Sequence, residues 1–311
     1  MLPAIPPAKT AQVQRFLHVN LNCTNLERSK EIYTSLFGMR QIMYTESTDG
    51  DASAMGIDIP SSSRVSFLYD HRGARRSPSL ELVHWTAPIV FPKGYERPNH
   101  IGMQSVAYTV PALDTIVAGV NGFGLSLGSI TGDGVNATLF RDPDGVTVEV
   151  YEDSSVEKAT GLHARLTVAD LDRSRAWYEA IGFEADGAAV ERQWNWAIPG
   201  GDTISARVKT QRVVMPFDPS YGLELTQWID PVSEGTPNLG ASDQGLYRMA
   251  LGVENSRDAA TALQAAGWPH ANDPARFVLE GTPLPDLWIS FTRDADGITV
   301  ELVERPIESY K

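Results

Sequence analysis

The sequence repeats itself, and the repeats divide the chain into four similar segments. Residues 17–29 align without a gap on residues 162–174, and residues 140–149 match residues 291–301 once a single residue is allowed in a loop. Each unit in such a repeat is one piece of supersecondary structure that needs its neighbours to bury its apolar face. The chain therefore consists of four modules, in which the first resembles the third and the second resembles the fourth.

Each module has the hydrophobic periodicity of a strand, a helix and further strands. Apolar and polar residues alternate from His18 to Asn22, and apolar residues then recur at helical spacing over residues 26–36 before Gly38. Residues 171–181 and 256–266 repeat this helical pattern. Asp-Pro-Asp-Gly and Asp-Ala-Asp-Gly predict turns before closing strands that alternate again. The pattern predicts an α+β fold of four βαβββ modules, in which helices cover one sheet face and polar residues on the other face line a cavity.

Length, charge and cysteine content narrow the class of protein. The 311 residues predict two domains, at residues 13–155 and 160–305, after an N-terminal arm at residues 1–12. With 26 Lys and Arg against 39 Asp and Glu, the net charge of −13 argues against nucleic-acid and membrane partners and favours a small-molecule substrate. The single cysteine, Cys23, excludes an intrachain disulfide and leaves His and carboxylates as metal ligands.

The N-terminus lacks the basic and apolar regions of a signal peptide, and no apolar run reaches about 18 residues. We therefore expect a cytoplasmic protein. We expect it to be a monomer or a homodimer.

The module resembles that of the vicinal oxygen chelate superfamily, which includes glyoxalase I, extradiol dioxygenases and bleomycin-binding proteins. The resemblance rests on a His in the first strand, Leu-Glu-Leu before an aromatic residue, and a closing Asp-Pro-Asp-Gly-x-x-x-Glu, and it extends from about residue 13 to 305. It implies that the modules pair into two curved mixed-sheet cups with helices outside. In metal-dependent members, first-strand and last-strand residues of two modules bind a divalent ion in the cup.

Transferring this pattern gives four first-strand and four last-strand positions. The first-strand positions are His18, Ser105, His163 and Arg248, and the last-strand positions are Glu81, Glu149, Glu224 and Glu301. If consecutive modules pair, one cup contains His18, Glu81, Ser105 and Glu149, and the other contains His163, Glu224, Arg248 and Glu301. If modules pair across the two halves, His18 and Glu81 instead face Arg248 and Glu301, and Ser105 joins His163.

The leading interpretation is a glyoxalase-like lyase or isomerase with a divalent metal, Ni, Mn, Fe, Co or Zn, held by His18, Glu81 and Glu149. The metal would polarise a substrate oxygen, while Glu81 or Glu149 also serves as the catalytic proton carrier. The second-cup candidates are His163, Glu224, Glu301 and Arg248. The candidate substrate contacts are Ser105, Asn20, Trp85, Trp194, Trp196 and Trp228.

Two alternatives remain open. Ser105 and Arg248 favour a metal-free member that binds a ligand or performs acid–base chemistry, because Arg248 places a permanent positive charge where a cation would bind. The other is an Fe(II) extradiol dioxygenase, which resembles this chain in having four modules. That family pattern requires a histidine where this chain has Arg248. We identify no glutathione-binding residues, and we interpret the Arg72, Arg75 and Arg76 cluster as solvated surface.

Overall fold

The computed structural model of the protein describes residues 12–92, 97–238, 240–268, 273–279, 281–282, 284, 286–306 and 308. The predicted N-terminal arm lies outside these residues, apart from Gln12. In the described part of the chain, no helix is both long and apolar enough to span a membrane.

All four modules follow the order strand, helix, strand, strand, strand, which confirms the predicted α+β fold. The first contains β1 (Arg15–Asn22), α1 (Leu26–Phe37), β2 (Arg40–Ala52), β3 (Ile57–Tyr69) and β4 (Ser79–Ala87), with a 3₁₀ helix at Ser53–Met55. The second contains β5 (Gly102–Val110), α2 (Asp114–Gly122), β6 (Leu127–Gly132), β7 (Val135–Arg141) and β8 (Thr147–Glu152). The third contains β9 (Thr160–Val168), α3 (Leu171–Ile181), β10 (Glu184–Ala197), β11 (Thr203–Met215) and β12 (Asp218–Asp230). The fourth contains β13 (Gly245–Val253), α4 (Ser256–Ala265), β14 (Ala275–Phe277), β15 (Leu287–Arg293) and β16 (Thr299–Glu304).

Three of the four described helices begin where the sequence supplies a side-chain cap. Asn25, Asp170 and Asn255 precede α1, α3 and α4, and each side chain accepts a hydrogen bond from a backbone N–H in the first turn. Gly38 ends α1 in the left-handed region, with φ of 62°, which a residue with a side chain rarely adopts. These signals explain why the predicted helices at residues 26–36, 171–181 and 256–266 match the observed ones closely.

The modules pair across the two halves of the chain. Strand β1 of the first module is antiparallel to β13 of the fourth, and β5 of the second is antiparallel to β9 of the third. The arrangement in which residues 13–155 and 160–305 each form their own cup is therefore not the one the structure adopts. The long connections at residues 88–101 and 231–244 make the cross-half arrangement accessible, because extended segments of this length reach about 45 Å.

The two resulting sheets differ in closure. The first and fourth modules form an eight-stranded sheet in the order β14-β15-β16-β13-β1-β4-β3-β2, called the open sheet below. The second and third modules form a closed barrel in the order β10-β11-β12-β9-β5-β8-β7-β6. Pairing of β6 with β10, from Trp194 opposite Gly132 to Ala197 opposite Ser129, closes the barrel. The two sheets are built from equivalent modules. The open sheet nevertheless has an accessible concave face, whereas the barrel has an enclosed interior.

Consecutive modules contact each other through the aspartate turns rather than through a shared sheet. The Tyr33 hydroxyl on α1 donates to Asp142 Oδ2 at 2.9 Å, and the Ser29 hydroxyl donates to Asp144 Oδ2 at 2.8 Å. The backbone N–H groups of Asp144 and Val146 donate to Asp142 Oδ1. The third and fourth modules repeat the arrangement with Tyr178, Ser174, Asp294 and Asp296. The predicted turns thus also attach one module to the helix of the preceding one.

The Asp142 turn predicts a pH dependence of folding stability. Burial and the nearby charge of Asp144 raise the pKa of Asp142 from 3.8 to about 7, against the opposing hydrogen bonds from Val146, Tyr33 and Asp144. The folded state then binds one more proton than the unfolded state between about pH 4 and pH 7. The contribution of Asp142 to folding stability is fully present below about pH 4 and is lost as the pH rises through 7. Over this range, the free energy of unfolding falls by up to about 1.4 kcal/mol per pH unit.

We expect Asp142→Asn to flatten this part of the stability profile, since Asn retains an oxygen for the two backbone N–H groups. Urea unfolding of the wild type and of Asp142→Asn from pH 4 to pH 8 measures how the free energy of unfolding of each protein changes with pH. Asp58→Asn, at an exposed position, is the matched control. Parallel profiles for the wild type and Asp142→Asn would contradict the assignment.

Candidate functional site

Four strands of the open sheet bring polar side chains together on its concave face. His18 comes from β1, Glu81 from β4, Arg248 from β13 and Glu301 from β16, and all four are buried. We call these four side chains the polar floor. They occupy the first-strand and last-strand positions of the first and fourth modules, so cross-half pairing alone assembles them.

Arg248 holds both carboxylates of the polar floor. Its Nε donates to Glu301 Oε2 at 2.5 Å, and its Nη2 donates to Glu81 Oε2 at 2.9 Å. His18 Nε2 lies 3.3 Å from Glu81 Oε2 and 3.6 Å from Glu301 Oε2. Asn20, one step along the same face of β1, donates to Glu81 Oε2 at 3.2 Å. The floor is therefore a compact charge network that includes one guanidinium and two carboxylates.

The network keeps its charges despite burial. Burial acts to raise the pKa of Glu301, but the charge and hydrogen bond of Arg248, together with the neighbouring His18, outweigh it and hold that pKa below its ordinary value. Burial likewise acts to lower the pKa of Arg248, and the charges of Glu81 and Glu301 raise it overall. Glu301 is therefore a weak proton acceptor near neutral pH, because protonating it would break the ion pair.

Two nitrogen atoms of the floor remain available to a ligand. Among the described residues, neither Arg248 Nη1 nor His18 Nε2 has a hydrogen-bond partner, although both atoms are buried. The short distances from His18 Nε2 to the carboxylates lack hydrogen-bond alignment. Buried polar nitrogens without partners cost stability unless a ligand or water satisfies them. These atoms therefore mark where an oxygen of a bound molecule would be recognised.

A cavity of about 1230 Å³, including its open mouth, lies above the polar floor. Its lining contains all four floor residues. The walls are mainly apolar and aromatic, and they include Met43, Phe67, Trp85, Leu287, Ile289 and Phe291. An apolar cleft with a few convergent polar groups is typical of a small-molecule site.

The side chains of the floor do not fit the divalent ion that the resemblance implies. Arg248 takes one of the four ligand positions, and its guanidinium donates hydrogen bonds to the Oε2 atoms of Glu81 and Glu301. Since an arginine stays protonated in proteins, a divalent cation at the same place would meet direct repulsion. Within the described ranges, no three His, Cys, Asp or Glu side chains are arranged to hold a metal ion.

The equivalent place in the barrel is filled by an arginine from a different position. Arg165 Nε and Nη2 donate to Glu149 Oε1 and Oε2 at 2.7 and 2.8 Å, and Arg165 Nη1 donates to Thr226 at 2.8 Å. Ser105 and Tyr151 also donate to Glu149. His163 Nε2 lies 3.5 Å from Glu149 Oε2. Glu149 is fully buried, and Arg165 is 2% exposed. This arrangement is a closed ion pair within the barrel.

Three tryptophans complete the barrel interior. Trp194, Trp196 and Trp228 are each 2% exposed and belong to one apolar cluster. The Arg165 guanidinium lies 5.2 Å from the Trp194 ring centroid and 5.9 Å from that of Trp196. Trp194 and Trp196 share a face, as the alternation of β10 predicts, and they pack against Arg165, while Trp228 packs against Trp196. None of the three lines the cavity of the open sheet.

The predicted metal set of His18, Glu81 and Glu149 is not brought together. His18 and Glu81 belong to the open sheet, while Glu149 belongs to the barrel, because β1 pairs with β13 and β5 pairs with β9. The second predicted set separates in the same way. Its members His163 and Glu224 lie on barrel strands, while Arg248 and Glu301 lie on the open sheet.

The predicted substrate contacts also divide between the two sheets. Trp85 lines the open-sheet cavity, and its Nε1 donates to Asn22 Oδ1 at 3.2 Å. Ser105 lies in the barrel with Trp194, Trp196 and Trp228. Asn20 contacts Glu81, and its Oδ1 has no hydrogen-bond partner in the described part of the chain.

The sequence motifs did not identify Arg165, which forms the buried ion pair with Glu149 in the barrel. The repeat alignment places it opposite Asn20, two residues after the first-strand His of its module. A charged residue on the same strand face as His163 was the available signal. Its partner, Glu149, could not be named without knowing which modules pair.

The comparisons with known proteins agree with this fold. Residues 15–150 match the family model described as the Glyoxalase/Bleomycin resistance protein/Dioxygenase superfamily. A lactoylglutathione lyase of Schizosaccharomyces pombe is 22% identical over 307 residues, covering 93% of this chain and 95% of that protein.

Two solved structures share the fold over most of the chain. The glyoxalase I structure from Zea mays aligns with a TM-score of 0.65 and 19% identity, covering 94% of this chain and 92% of that one. A putative dioxygenase from Bacillus subtilis aligns with a TM-score of 0.56 and 13% identity, covering 94% and 85%. At these identities, the likeness concerns the fold.

Proposed function

We propose that the chain, whose residues 15–150 match the model of the Glyoxalase/Bleomycin resistance protein/Dioxygenase superfamily, is a metal-independent enzyme of that superfamily. In this proposal, it binds a small oxygenated organic molecule in the open-sheet cavity and moves a proton on that molecule with His18. The observation that carries the proposal is Arg248, which is buried between Glu81 and Glu301 with Nη1 unpaired in the described structure.

In the proposed reaction, Arg248 stabilises the negative charge that develops on the substrate oxygen. Its ion pairs with Glu81 and Glu301 hold the guanidinium at a fixed place, so little reorganisation is needed when negative charge develops on a substrate oxygen. Nη1 is the donor not already engaged by these carboxylates. A carbonyl oxygen that accepts from Nη1 would be polarised, and the enolate formed after proton removal would be stabilised at the same atom.

His18 is the proposed proton carrier. Glu81 and Glu301 are both occupied by Arg248, and the lowered pKa of Glu301 makes that carboxylate a poor base. The imidazole Nε2 lies beside both carboxylates, which stabilise the ring when it carries the transferred proton. The proton leaves a carbon next to the polarised carbonyl, the electron pair moves to the carbonyl oxygen, and the imidazolium returns a proton to the carbon.

The cavity favours a substrate with an apolar or aromatic body and adjacent oxygens at one end. Phe67, Trp85 and Phe291 contribute aromatic wall surface, and the four charged or polar side chains of the polar floor meet at one end. The family relationship supports a substrate with adjacent oxygens, and the apolar walls support an aromatic substituent. An aromatic α-hydroxy ketone has both features and serves as the test compound.

Proton transfer is measured directly as hydrogen exchange. We expect 2-hydroxyacetophenone incubated with the protein in D₂O to gain deuterium at its CH₂ carbon, as followed by proton NMR. We expect His18→Ala to slow this exchange by about 10²- to 10⁴-fold, the usual contribution of a positioned general base. His84→Ala is the matched control, because His84 is on β4 but its Nδ1 contacts the backbone oxygen of Cys23.

The same assay separates the enzyme from a ligand-binding protein. Saturable binding of the ketone without catalysed exchange would overturn the proton-transfer proposal in favour of a binding function. S-lactoylglutathione is tested as a second substrate in the same exchange assay, because one relative is named a lactoylglutathione lyase. Exchange that requires added divalent metal and is lost with chelator would overturn the metal-independent role of Arg248.

A further inference from the structure

A groove rich in arginine adjoins the mouth of the open-sheet cavity. Its lining includes Arg15, Arg72, Arg75, Arg76 and Phe217, which together define what we call the arginine groove, with a volume of about 830 Å³ including open solvent. Arg15 lines both the groove and the cavity. The loop between β3 and β4 supplies three of the arginines, and its Ala74 and Ser77 line the cavity. The cavity and the groove are therefore neighbours that share Arg15 and the loop between β3 and β4.

The groove is positive on a strongly negative protein. The whole chain has a net charge of −13, yet four of its 26 Lys and Arg residues meet here. Arg72 is neutralised by Asp70, whose Oδ2 lies 2.6 Å from Nη2. Asp218 also lines the groove. Arg75 and Arg76 are exposed, and within the described part of the chain neither forms an ion pair. The groove thus retains positive charge after its own acids are counted.

The arginines stand on an ordered loop. Arg72 also donates to the Ser220 hydroxyl at 2.9 Å and to the Gly161 carbonyl oxygen at 3.1 Å, which ties the loop to the third module. The backbone N–H groups of Arg76 and Ser77 both donate to the Gly73 carbonyl oxygen at 3.0 Å. Arg15 Nη2 donates to the Ala74 carbonyl oxygen at 3.3 Å. The positions of the arginine backbones are therefore set before any ligand arrives.

An apolar residue forms the other side of the groove. Phe217, at the turn between β11 and β12, is 73% exposed. A large aromatic side chain exposed in the same groove as Arg75 and Arg76 suits an anionic group carried on an apolar stem. Solvation alone accounts for single exposed arginines, but here the arginines line one groove, and their loop also lines the neighbouring cavity.

We infer that the arginine groove is an anion subsite for the distal end of the substrate, which therefore carries a carboxylate or a phosphate. The inference rests on the proposed function for the position of the oxygenated end at the polar floor. It adds that the substrate is bipolar: its reacting oxygens meet Arg248, its apolar body fills the cavity, and its anion meets Arg75 and Arg76.

The test compares affinities for three probes that share the hydroxyacetyl phenyl group. One probe has a para-linked short alkyl chain ending in a carboxylate, one has the same chain ending in a phosphate monoester, and one has a methyl ester there. Titration calorimetry at low salt gives each Kd. We expect the wild type to bind at least one anionic probe about tenfold more tightly than the ester. The preferred anion identifies the source of the charge.

The double variant Arg75→Gln/Arg76→Gln is expected to lose this preference, so that the ratio of ester Kd to anion Kd falls to about one. Arg40→Gln, an exposed arginine at the start of β2, is the matched control and is expected to keep the wild-type ratio. Equal affinities for all three probes in the wild type, or an unchanged ratio in the double variant, would overturn the inference.

The outcome is separable from that of the proposed function. Loss of the anion preference in Arg75→Gln/Arg76→Gln without catalysed exchange in any protein would leave the anion subsite standing and remove the proton-transfer role. Exchange that depends on His18, with no anion preference, would do the reverse.

Discussion

Arg248→His is expected to turn the polar floor into a divalent-metal site. The substitution removes the guanidinium that holds Glu81 and Glu301, and it places a metal-binding side chain at the position that Arg248 occupies. His18, Glu81 and Glu301 would then face a fourth ligand, the second nitrogen of the set, instead of a fixed positive charge. Two imidazoles and two carboxylates suit Zn²⁺ and Ni²⁺.

Titration calorimetry with Zn²⁺ and Ni²⁺ measures the change. We expect one equivalent to bind Arg248→His at least about 100-fold more tightly than the wild type, which corresponds to roughly 2.7 kcal/mol. Arg248→Met is the matched control, because it removes the charge and keeps a long side chain without adding a nitrogen ligand. The double variant Arg248→His/His18→Ala should lose most of the gain.

The wild type is the decisive sample in this series. Tight binding of one metal ion to the wild type, abolished by His18→Ala, would show that Arg248 moves aside and that the floor is a metal site after all. That result would remove the basis for a metal-independent reaction. Absence of a gain in a folded Arg248→His protein would show that the floor cannot adopt metal-ligand geometry.

Arg165→Met is expected to destabilise the protein by about 3–5 kcal/mol, the usual cost of removing one partner of a buried ion pair. Glu149 would keep its buried position in the barrel while losing two hydrogen bonds to the guanidinium. Burial acts to raise the pKa of Glu149, and the charge of Arg165 outweighs it, so that the pKa lies well below its ordinary value in the wild type. Without Arg165, burial dominates and the carboxylate must take up a proton.

The size of this effect is tested by urea unfolding at pH 7 of the wild type, the single variants and Arg165→Met/Glu149→Gln. The double variant should recover much of the loss, since it removes both charges together. A cost below about 1 kcal/mol for Arg165→Met would contradict the interpretation of Arg165 and Glu149 as a structural pair. Unfolding midpoints of the double variant equal to those of Arg165→Met would contradict it as well.

The local sequence was sufficient for most of the secondary structure. Three helices were predicted from apolar residues at helical spacing, and the structure shows that Asn25, Asp170 and Asn255 cap them. The four-module pattern implied a helix in the second module, but no residue range was predicted for α2. Its N-cap is Leu113, whose side chain makes no capping hydrogen bond, and the helix contains two glycines that weaken the pattern. Its formation reflects packing of Ile116 and Val120 into the core.

The sequence identified the individual positions of the candidate site. It did not show which of these positions lie together. Strand alternation places His18 and Glu81 on one face, and the repeat assigns the equivalent positions to Arg248 and Glu301. Neither signal states which modules share a sheet. The preferred set combined Glu81 with Glu149, which the structure places in different sheets.

The sequence by itself determined the four modules, the inward face of each strand and the presence of a fixed positive charge among the ligand positions. The tertiary structure alone decided that Arg248 meets Glu81 and that Arg165 meets Glu149. The physical reason is that hydrophobic periodicity specifies a face of a strand, whereas the edges of β1, β5, β9 and β13 offer the same backbone hydrogen bonds to several partners. Long connections between modules, the aspartate turns and packing between the modules select among these pairings, and that choice determines which charges meet.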